Sequence, residues 1–401
     1  MNKKIKQKHV VMVNAHWSNR GDEAAIRAII DGLLLKRNDI KISVIFKDAN
    51  DISEFPYAQK INYIISKFLL EEEEFNNTIL SSDNPKNVET DKIMSLIKTA
   101  DIVVYAPGGG VISDRFWWKK QLEYLFPIAY AQQIGIPTVF AAPSIGPFSE
   151  QHELRNEILK AVDMLCVREE ISYKELIKQG LTDNVMTTID SAFLNHIDEA
   201  ENRDKLLKNE KLMNFLKSYH TIVGITISDF KWHVEYGQNI ELRKRIRCAF
   251  EAFILKLRKM QIGVLLIPQL FGNQNDREYL KTYQSDNTYL LENHYDAYFQ
   301  QYIISKIYAV VGMRYHSNIF AAKMGVPFIP IIYEEKMRGF TACIGWEDFS
   351  IELPELSADC LYEKYEILIE QYLEMQKTLQ KGAQEWQNKA EITLEEIIKR
   401  I

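Results

Sequence analysis

The chain has little to offer thiol chemistry: its 401 residues hold only four cysteines, Cys166, Cys248, Cys343 and Cys360. None forms a CxxC pair or a Cys/His spacing suited to a metal, so buried, reduced thiols are expected. Long apolar runs are also lacking. Val10 to Val13, after the basic start from Asn2 to Lys8, is too short for a signal-peptide core. No other segment reaches the roughly 18–20 apolar residues that a membrane span requires. A cytoplasmic location is the expectation, with at most peripheral membrane contact. Positive charge is not in surplus: 49 Lys and Arg against 55 Asp and Glu give a net charge of -6. That balance excludes a broad electrostatic footprint for nucleic acid and leaves any basic site local. Clustered Asp/His ligand sets are missing as well, so no metal and no bound cofactor are expected.

What is present is an ordinary globular composition, 46% hydrophobic and 26% charged, on a chain long enough for two domains. Short β-rich runs at His9 to Ala15, Lys41 to Lys47, Asp101 to Pro107, Pro137 to Ser144 and Met164 to Arg168 alternate with helical patterns such as Asp22 to Leu35 and Glu150 to Val162. This rhythm predicts an α/β fold with a mostly parallel sheet. Glu71 to Thr90, acidic and turn-rich, reads as an insertion or long loop. After a charged stretch from Asn195 to Ser218, strands restart at Thr221 to Ser228 and recur at Gly263 to Leu270, Thr288 to Glu292, Ala309 to Arg314 and Pro327 to Tyr333. The helices between them read as Ile240 to Met260, Tyr295 to Ile307 and Ser317 to Met324, and Cys360 to Ile401 as a long amphipathic helical tail. No repeat of fixed period appears.

In open α/β sheets, ligands bind beyond the carboxyl ends of strands. Four loops there are unusual. In the first, Gly21 allows a tight turn and Asp22 and Glu23 favour a helix N-terminus, which is also a common capping arrangement. The second, Gly108-Gly109-Gly110, lets backbone approach a ligand, although it is neither GxGxxG nor a Walker loop. Asp114, Phe116, Trp117 and Trp118 follow it. A carboxylate beside flat aromatic faces suits a sugar ring, while packing of a helix on the sheet competes for each tryptophan. The third loop, Ser144 to Phe148, reads as a structural turn. In the fourth, extended alternation from the strand puts Arg314 and His316 on one side, with Ser317 or Asn318 placed to cap the next helix. A guanidinium, an imidazole and helix N–H groups together suit a phosphate or carboxylate. Arg168 and Lys336, also at strand ends, add positive charge.

Taken together, these loops resemble the polysaccharide pyruvyl transferase family. The matching pieces are Asn19-x-Gly21-Asp22-Glu23-Ala24, the Gly108–Gly110 loop with Asp114, Ser144-x-Gly146-Pro147 and Val167-Arg168-Glu169-Glu170-x-Ser172. They continue with Asp190-x-Ala192, Pro268-Gln269, Met313-Arg314-x-His316 with Gly325-x-Pro327, and Tyr333-x-x-Lys336-x-x-Gly339. The ordered set runs from residue 19 to residue 339. One stretch departs from it: Ala15-His16-Trp17-Ser18 stands where the family often has glycine.

The resemblance implies two Rossmann-like domains facing across a GT-B-like cleft, residues 1–195 on the acceptor side and 196–360 on the donor side, with a helical tail at 361–401. It implies phosphoenolpyruvate as donor and co-substrate, and a saccharide acceptor that is free, polymeric or lipid-linked. Carried over by position, Arg314, His316, Ser317, Arg168 and Lys336 belong to the donor site. Asn19, Asp22, Glu23, Gly109, Gly110, Asp114 and Trp117 then face the acceptor, with His316, Arg314 and Asp114 as the catalytic candidates. Two other readings stay open on the residues alone: a glycosyltransferase using a nucleotide-sugar, and a carbohydrate-binding protein without catalysis.

Overall fold

The computed structural model of the chain describes residues 7–48, 55–66, 71–79, 87–231, 233, 235–272 and 275–401. These divide into two compact units. Unit 1 comprises Met1–Ser18, Ala25–Leu194 and Asn388–Ile401, and unit 2 comprises Asn19–Ala24 and Asn195–Gln387.

The strands of unit 1 are β1 (Lys8–His16), β2 (Ile40–Asp48), β3 (Asn62–Ile65), β4 (Ile102–Tyr105), β5 (Thr138–Ala141), β6 (Met164–Val167) and β7 (Val185–Thr187). They form a parallel sheet in the order β3-β2-β1-β4-β5-β6-β7. Strand alternation explains why its sequences are apolar nearly throughout: Val11, Val13, Val103 and Phe140 enter one buried cluster. Their neighbours Val10, Met12, Val104 and Val139 enter another on the opposite face. The helices are α1 (Arg20–Lys36), α2 (Glu72–Ile79), α3 (Val88–Ile97), α4 (Trp118–Gln133), α5 (Glu153–Lys160) and α6 (Glu170–Lys178).

Unit 2 begins with α7 (Glu199–Leu207) and α8 (Glu210–Ser218). Its strands β8 (Ile222–Thr226), β9 (Gly263–Leu266), β10 (Thr288–Leu290), β11 (Ala309–Gly312), β12 (Phe328–Ile332) and β13 (Ile351–Glu352) take the parallel order β10-β9-β8-β11-β12-β13. Between and after them run α9 (Ile240–Lys259), α10 (Asp276–Leu280), α11 (Ala297–Ile304), α12 (Tyr315–Lys323), α13 (Glu335–Ile344), α14 (Ala358–Glu370) and α15 (Tyr372–Ile398). The strand order reverses between β1 and β4 in unit 1 and between β8 and β11 in unit 2, the places where doubly wound sheets bind ligands. The α/β class with parallel sheets is as expected. Among the described residues no helix is long and apolar enough to cross a membrane.

Three details differ from the sequence reading. Glu71 to Thr90 is not simply a solvated loop: α2 exposes Glu72 and Glu73 but buries Phe75 fully, edge-on to Phe126 of α4. One aromatic at helical spacing from the acidic run is enough to bind the segment to the core. The helix after β11 starts two residues early, at Tyr315 with Arg314 in the N-cap position, so neither Ser317 nor Asn318 caps it. Instead Ser317 Oγ donates back to Arg314 O at 2.6 Å and Asn318 Nδ2 to Gly312 O at 3.1 Å. The helical tail comprises α14 and α15, and the last turns of α15 belong to unit 1, where Leu394 packs on Gly32. Asn19–Ala24, which chain order assigns to the first domain, belongs by contact to unit 2.

Candidate active site

In unit 2 the polar groups gather where the strands end. Arg314, leaving β11, donates from Nε to Asp276 Oδ2 at 3.1 Å and from Nη2 to Oδ1 of the same carboxylate. Asp276 Oδ2 also accepts the backbone N–H groups of Gln269 and Leu270 at 3.0 and 2.9 Å, so one carboxylate fixes both the guanidinium and the loop after β9. Burial opposes the charge on Arg314, but Asp276 outweighs it and the pKa is raised. Tyr333, just after β12, lies near Arg314; its phenol is pushed up by burial and by the nearby Glu334 charge and stays a neutral hydroxyl.

His316 follows in the first turn of α12 and is buried. Its imidazole lies against Gly21, where an added Cβ would sit 1.8 Å from Nδ1, and its ring is 4.9 Å from Tyr315 and 6.2 Å from Phe320. The helix N-terminus carries no side-chain cap, which suits an anion. Two further contacts hold α12 to the sheet. Thr226 Oγ1, ending β8, is 2.9 Å from Ser317 Oγ and accepts Arg314 N–H at 3.1 Å. At Gly312 a Cβ would fall 1.8 Å from Asn318 Oδ1, so that position requires glycine.

Lys336, in the first turn of α13, pairs with Glu334 at 2.5 Å and lies 5.9 Å from the Tyr315 ring centre. Glu334 also faces His233, with 3.3 Å from Nε2 to Oε1. The backbone N–H groups of Glu235 and Tyr236 point to Nδ1 of that imidazole at 3.2 Å each. This arrangement assigns the ring proton to Nε2 and a neutral histidine as donor to Glu334.

Three further motifs form a second cluster, in unit 1. Arg168, after β6, donates from Nε to Ser144 Oγ and from Nη1 to Asp190 Oδ2, both at 2.8 Å. Both members of the ion pair are about 1% exposed. Ser172 Oγ donates to Glu169 and accepts Ile145 N–H at 2.8 Å. Thus three of the sequence motifs, those around Ser144, Arg168 and Asp190, are one buried network joining the ends of β5, β6 and β7. Arg168 belongs to unit 1 whereas Arg314, His316, Ser317 and Lys336 belong to unit 2.

The acceptor-side candidates also divide. Asn19, Asp22 and Glu23 lie in unit 2. Asn19 Oδ1 accepts Gly21 N–H at 2.8 Å, Glu23 receives Arg20 at 2.7 Å and Ala297 N–H at 3.2 Å, and Asp22 is half-buried. In unit 1, Gly109 is exposed and Gly110 half-buried, neither with a left-handed φ. Trp117 is 86% exposed, while Trp118 stacks on His152 at 4.5 Å and Trp17 is buried against Phe46 and Phe55. Asp114 is held by several donors of unit 1. It accepts Arg155 Nη1 at 2.7 Å and the N–H groups of Ser149 and Glu150 at 2.6 and 2.8 Å. Burial raises its pKa, but these donors outweigh burial and hold it below the usual carboxylate range, which makes it a poor proton acceptor.

Sequence reasoning missed Asp276, His233 and Glu334. Their one local signal is the strand-end position of Glu334; Asp276 and His233 reach the cluster through loops of no distinctive composition.

Two parallel sheets of Rossmann order, each with a polar network at its strand ends, define a GT-B-like α/β protein. The chain is similar to solved structures of that class. Against the UDP-GlcNAc 2-epimerase of Neisseria meningitidis the TM-score is 0.61 at 15% identity, covering 98% of this chain and 100% of that one. Against a glycosyltransferase of Rickettsia africae it is 0.59 at 12% identity, covering 98% and 97%. Against Anabaena HepE in complex with UDP-glucose it is 0.57 at 10% identity, covering 98% of each. At such identities the likeness is one of fold. The family profile described as polysaccharide pyruvyl transferase matches residues 19–335, and the chain belongs to this family. It is also similar to the amylovoran biosynthesis protein AmsJ of Erwinia amylovora, 22% identical over 420 residues, covering 94% of this chain and 95% of that protein.

Proposed function

We propose that this protein transfers the pyruvyl group of phosphoenolpyruvate to a saccharide, forming a cyclic ketal and releasing phosphate. The observation that carries the reading is the pair Arg314 and His316 at the uncapped start of α12, at the switch point of the unit 2 sheet, in a chain of this family. Phosphoenolpyruvate carries a carboxylate and a phosphate, and Arg314 and Lys336 offer the local positive charge that binding both requires. Arg168 is the further donor-binding candidate.

Ketal formation adds a proton to the methylene carbon of the donor. One sugar hydroxyl then bonds to the adjacent carbon and loses its proton, and a second hydroxyl displaces phosphate, its proton leaving with the phosphate. His316 acts as general acid or as donor to the departing phosphate. Trp117, exposed in unit 1, offers a flat face for the C–H side of a sugar. The family's description supports a polysaccharide or its precursor as acceptor, and the relative named for amylovoran biosynthesis supports a biosynthetic setting.

The test is incubation with phosphoenolpyruvate and a panel of galactose-, mannose-, glucose- and N-acetylhexosamine-containing acceptors, following phosphate release and the mass of the acceptor. Phosphate release coupled to a pyruvyl-bearing product is expected. Nucleotide release from a sugar nucleotide, with none of phosphate from phosphoenolpyruvate, would overturn the reading in favour of a glycosyltransferase.

A further inference from the structure

The Asn19–Glu23 motif lies in unit 2 with the donor candidates, and its geometry there is that of a fixed support. Asn19 forms an antiparallel bridge with Leu270, and Arg20 N–H donates to Gln269 O at 2.9 Å. The Arg20 side chain grips in two further directions, from Nη1 to Glu23 Oε2 and from Nη2 to Asn293 O, each at 2.7 Å, with its guanidinium 4.3 Å from the Phe271 ring centre. Glu23 Oε1 accepts Ala297 N–H at 3.2 Å, and Asn195 Nδ2 donates to Ala24 O at 2.8 Å. Each residue from 19 to 24 other than Asp22 is thus anchored or touches its neighbour in the unit.

Gly21 stands in the middle of this support. It is a poor helix former in the first turn of α1, and its φ is not left-handed, so backbone freedom does not explain it. Space does. A Cβ there would lie 1.8 Å from His316 Nδ1, 2.0 Å from Cγ and 2.6 Å from Cβ. Turning the imidazole does not relieve such an overlap, because the His316 Cβ is itself part of it and is fixed to α12. On its other sides the ring has Tyr315 at 4.9 Å and Phe320 at 6.2 Å.

We propose that Gly21 is a positioning residue for His316: the clamped Asn19–Glu23 segment presents bare backbone as a wall that sets the imidazole in its working rotamer. The proposal rests on the pyruvyl-transfer reading for the meaning of "working", and it turns a motif expected on the acceptor side into part of the donor machinery.

The experiment compares wild type, Gly21→Ala and Glu23→Gln, the last loosening the clamp without adding atoms. The imidazole signals of protein labelled at histidine are assigned by their loss in His316→Gln. In Gly21→Ala the His316 signal and its pH titration are expected to move while the signals of the other seven of the eight histidines hold. Turnover should fall ~10–100-fold with KM for phosphoenolpyruvate within ~3-fold. Glu23→Gln should show a smaller loss of the same kind, and it alone decides the matter if Gly21→Ala does not fold. An unmoved His316 signal in a folded variant, or turnover within ~2-fold of wild type, overturns the proposal. If wild type releases no phosphate from phosphoenolpyruvate, the pyruvyl reading has failed, and the His316 signal by itself decides whether Gly21 positions the ring.

Discussion

Arg314 and Asp276 form a two-point pair, the Nε and Nη2 edge of the guanidinium lying on the two oxygens of a carboxylate that also receives two backbone N–H groups. The pair is buried. Arg314 follows β11 and Asp276 opens α10, so the carboxylate orients the arginine and holds the loop after β9 in the same contact. Removing the negative charge leaves a buried guanidinium uncompensated, which typically costs ~3–5 kcal/mol. Asp276→Asn is therefore expected to lose about that much stability in urea unfolding, and to weaken binding of phosphoenolpyruvate ~10-fold or more by calorimetry as Arg314 loses its orientation. A variant within ~1 kcal/mol of wild type would mean that Arg314 is held by other groups.

His316 is proposed to act on the donor, so its removal is expected to fall on turnover rather than on the fold. In His316→Gln the amide keeps much of the volume and a hydrogen-bonding end but cannot exchange a proton near neutral pH. Turnover should fall ~100–10,000-fold, with the affinity for phosphoenolpyruvate changed only a few-fold. Near-normal turnover would remove His316 from the chemistry.

The α/β rhythm was legible in the sequence because every central strand is buried on both faces and therefore apolar at nearly every position, as in Ile102–Tyr105 and Ala309–Gly312. Three edge strands were not: β3 and β7 are only four and three residues long and at most half-buried, and β13 is two residues long, too short for a pattern to show. Local pattern also failed at the start of α12. Arg314 and His316 alternate as extended chain would, yet Tyr315 already begins the helix, held to the sheet by Thr226 and Gly312 while its first N–H groups keep no side-chain cap. Most of all, chain order concealed partnership. Nothing in the sequence near Arg314 names Asp276, and nothing near His316 names Gly21, because each pairing joins segments far apart along the chain.

Arg168 and Asp190 make the corresponding buried pair in unit 1. Arg168→Met strands the Asp190 carboxylate in the core and is expected to cost ~3–5 kcal/mol, whereas Arg168→Met with Asp190→Leu removes both charges and should recover at least half of the loss. Urea unfolding of wild type, both single variants and the double variant measures the coupling; additive losses would show that the two side chains do not stabilise each other. Calorimetry with phosphoenolpyruvate on the double variant then reads the donor role proposed for Arg168 without the cost of a stranded charge. There a ~10-fold weaker Kd is expected, and an unchanged Kd would confine Arg168 to holding Ser144 and Asp190 together.

Asp114 separates bracing from chemistry through pH. Its folded pKa lies below the ordinary 3.8 of a model aspartate because Arg155 and the backbone N–H groups of Ser149 and Glu150 favour the anion more than burial opposes it. A group depressed in this way contributes stability above its unfolded pKa and loses that contribution as pH falls through the lower folded value. Wild type should therefore exceed Asp114→Asn in stability by roughly 1–2 kcal/mol at neutral pH, a charged hydrogen-bond contribution reduced by partial solvent access. The gap should narrow only below about pH 4. Urea unfolding of both proteins from pH 7 to pH 3 tests this, and a gap that stays constant to pH 3 would contradict the assigned hydrogen bonds. A brace also predicts that folded Asp114→Asn turns over within ~3-fold of wild type, since the carboxylate is held by Arg155, the Ser149 hydroxyl and backbone N–H groups of its own unit. A loss of ~100-fold or more would return Asp114 to the reaction itself, as general base for the acceptor hydroxyl.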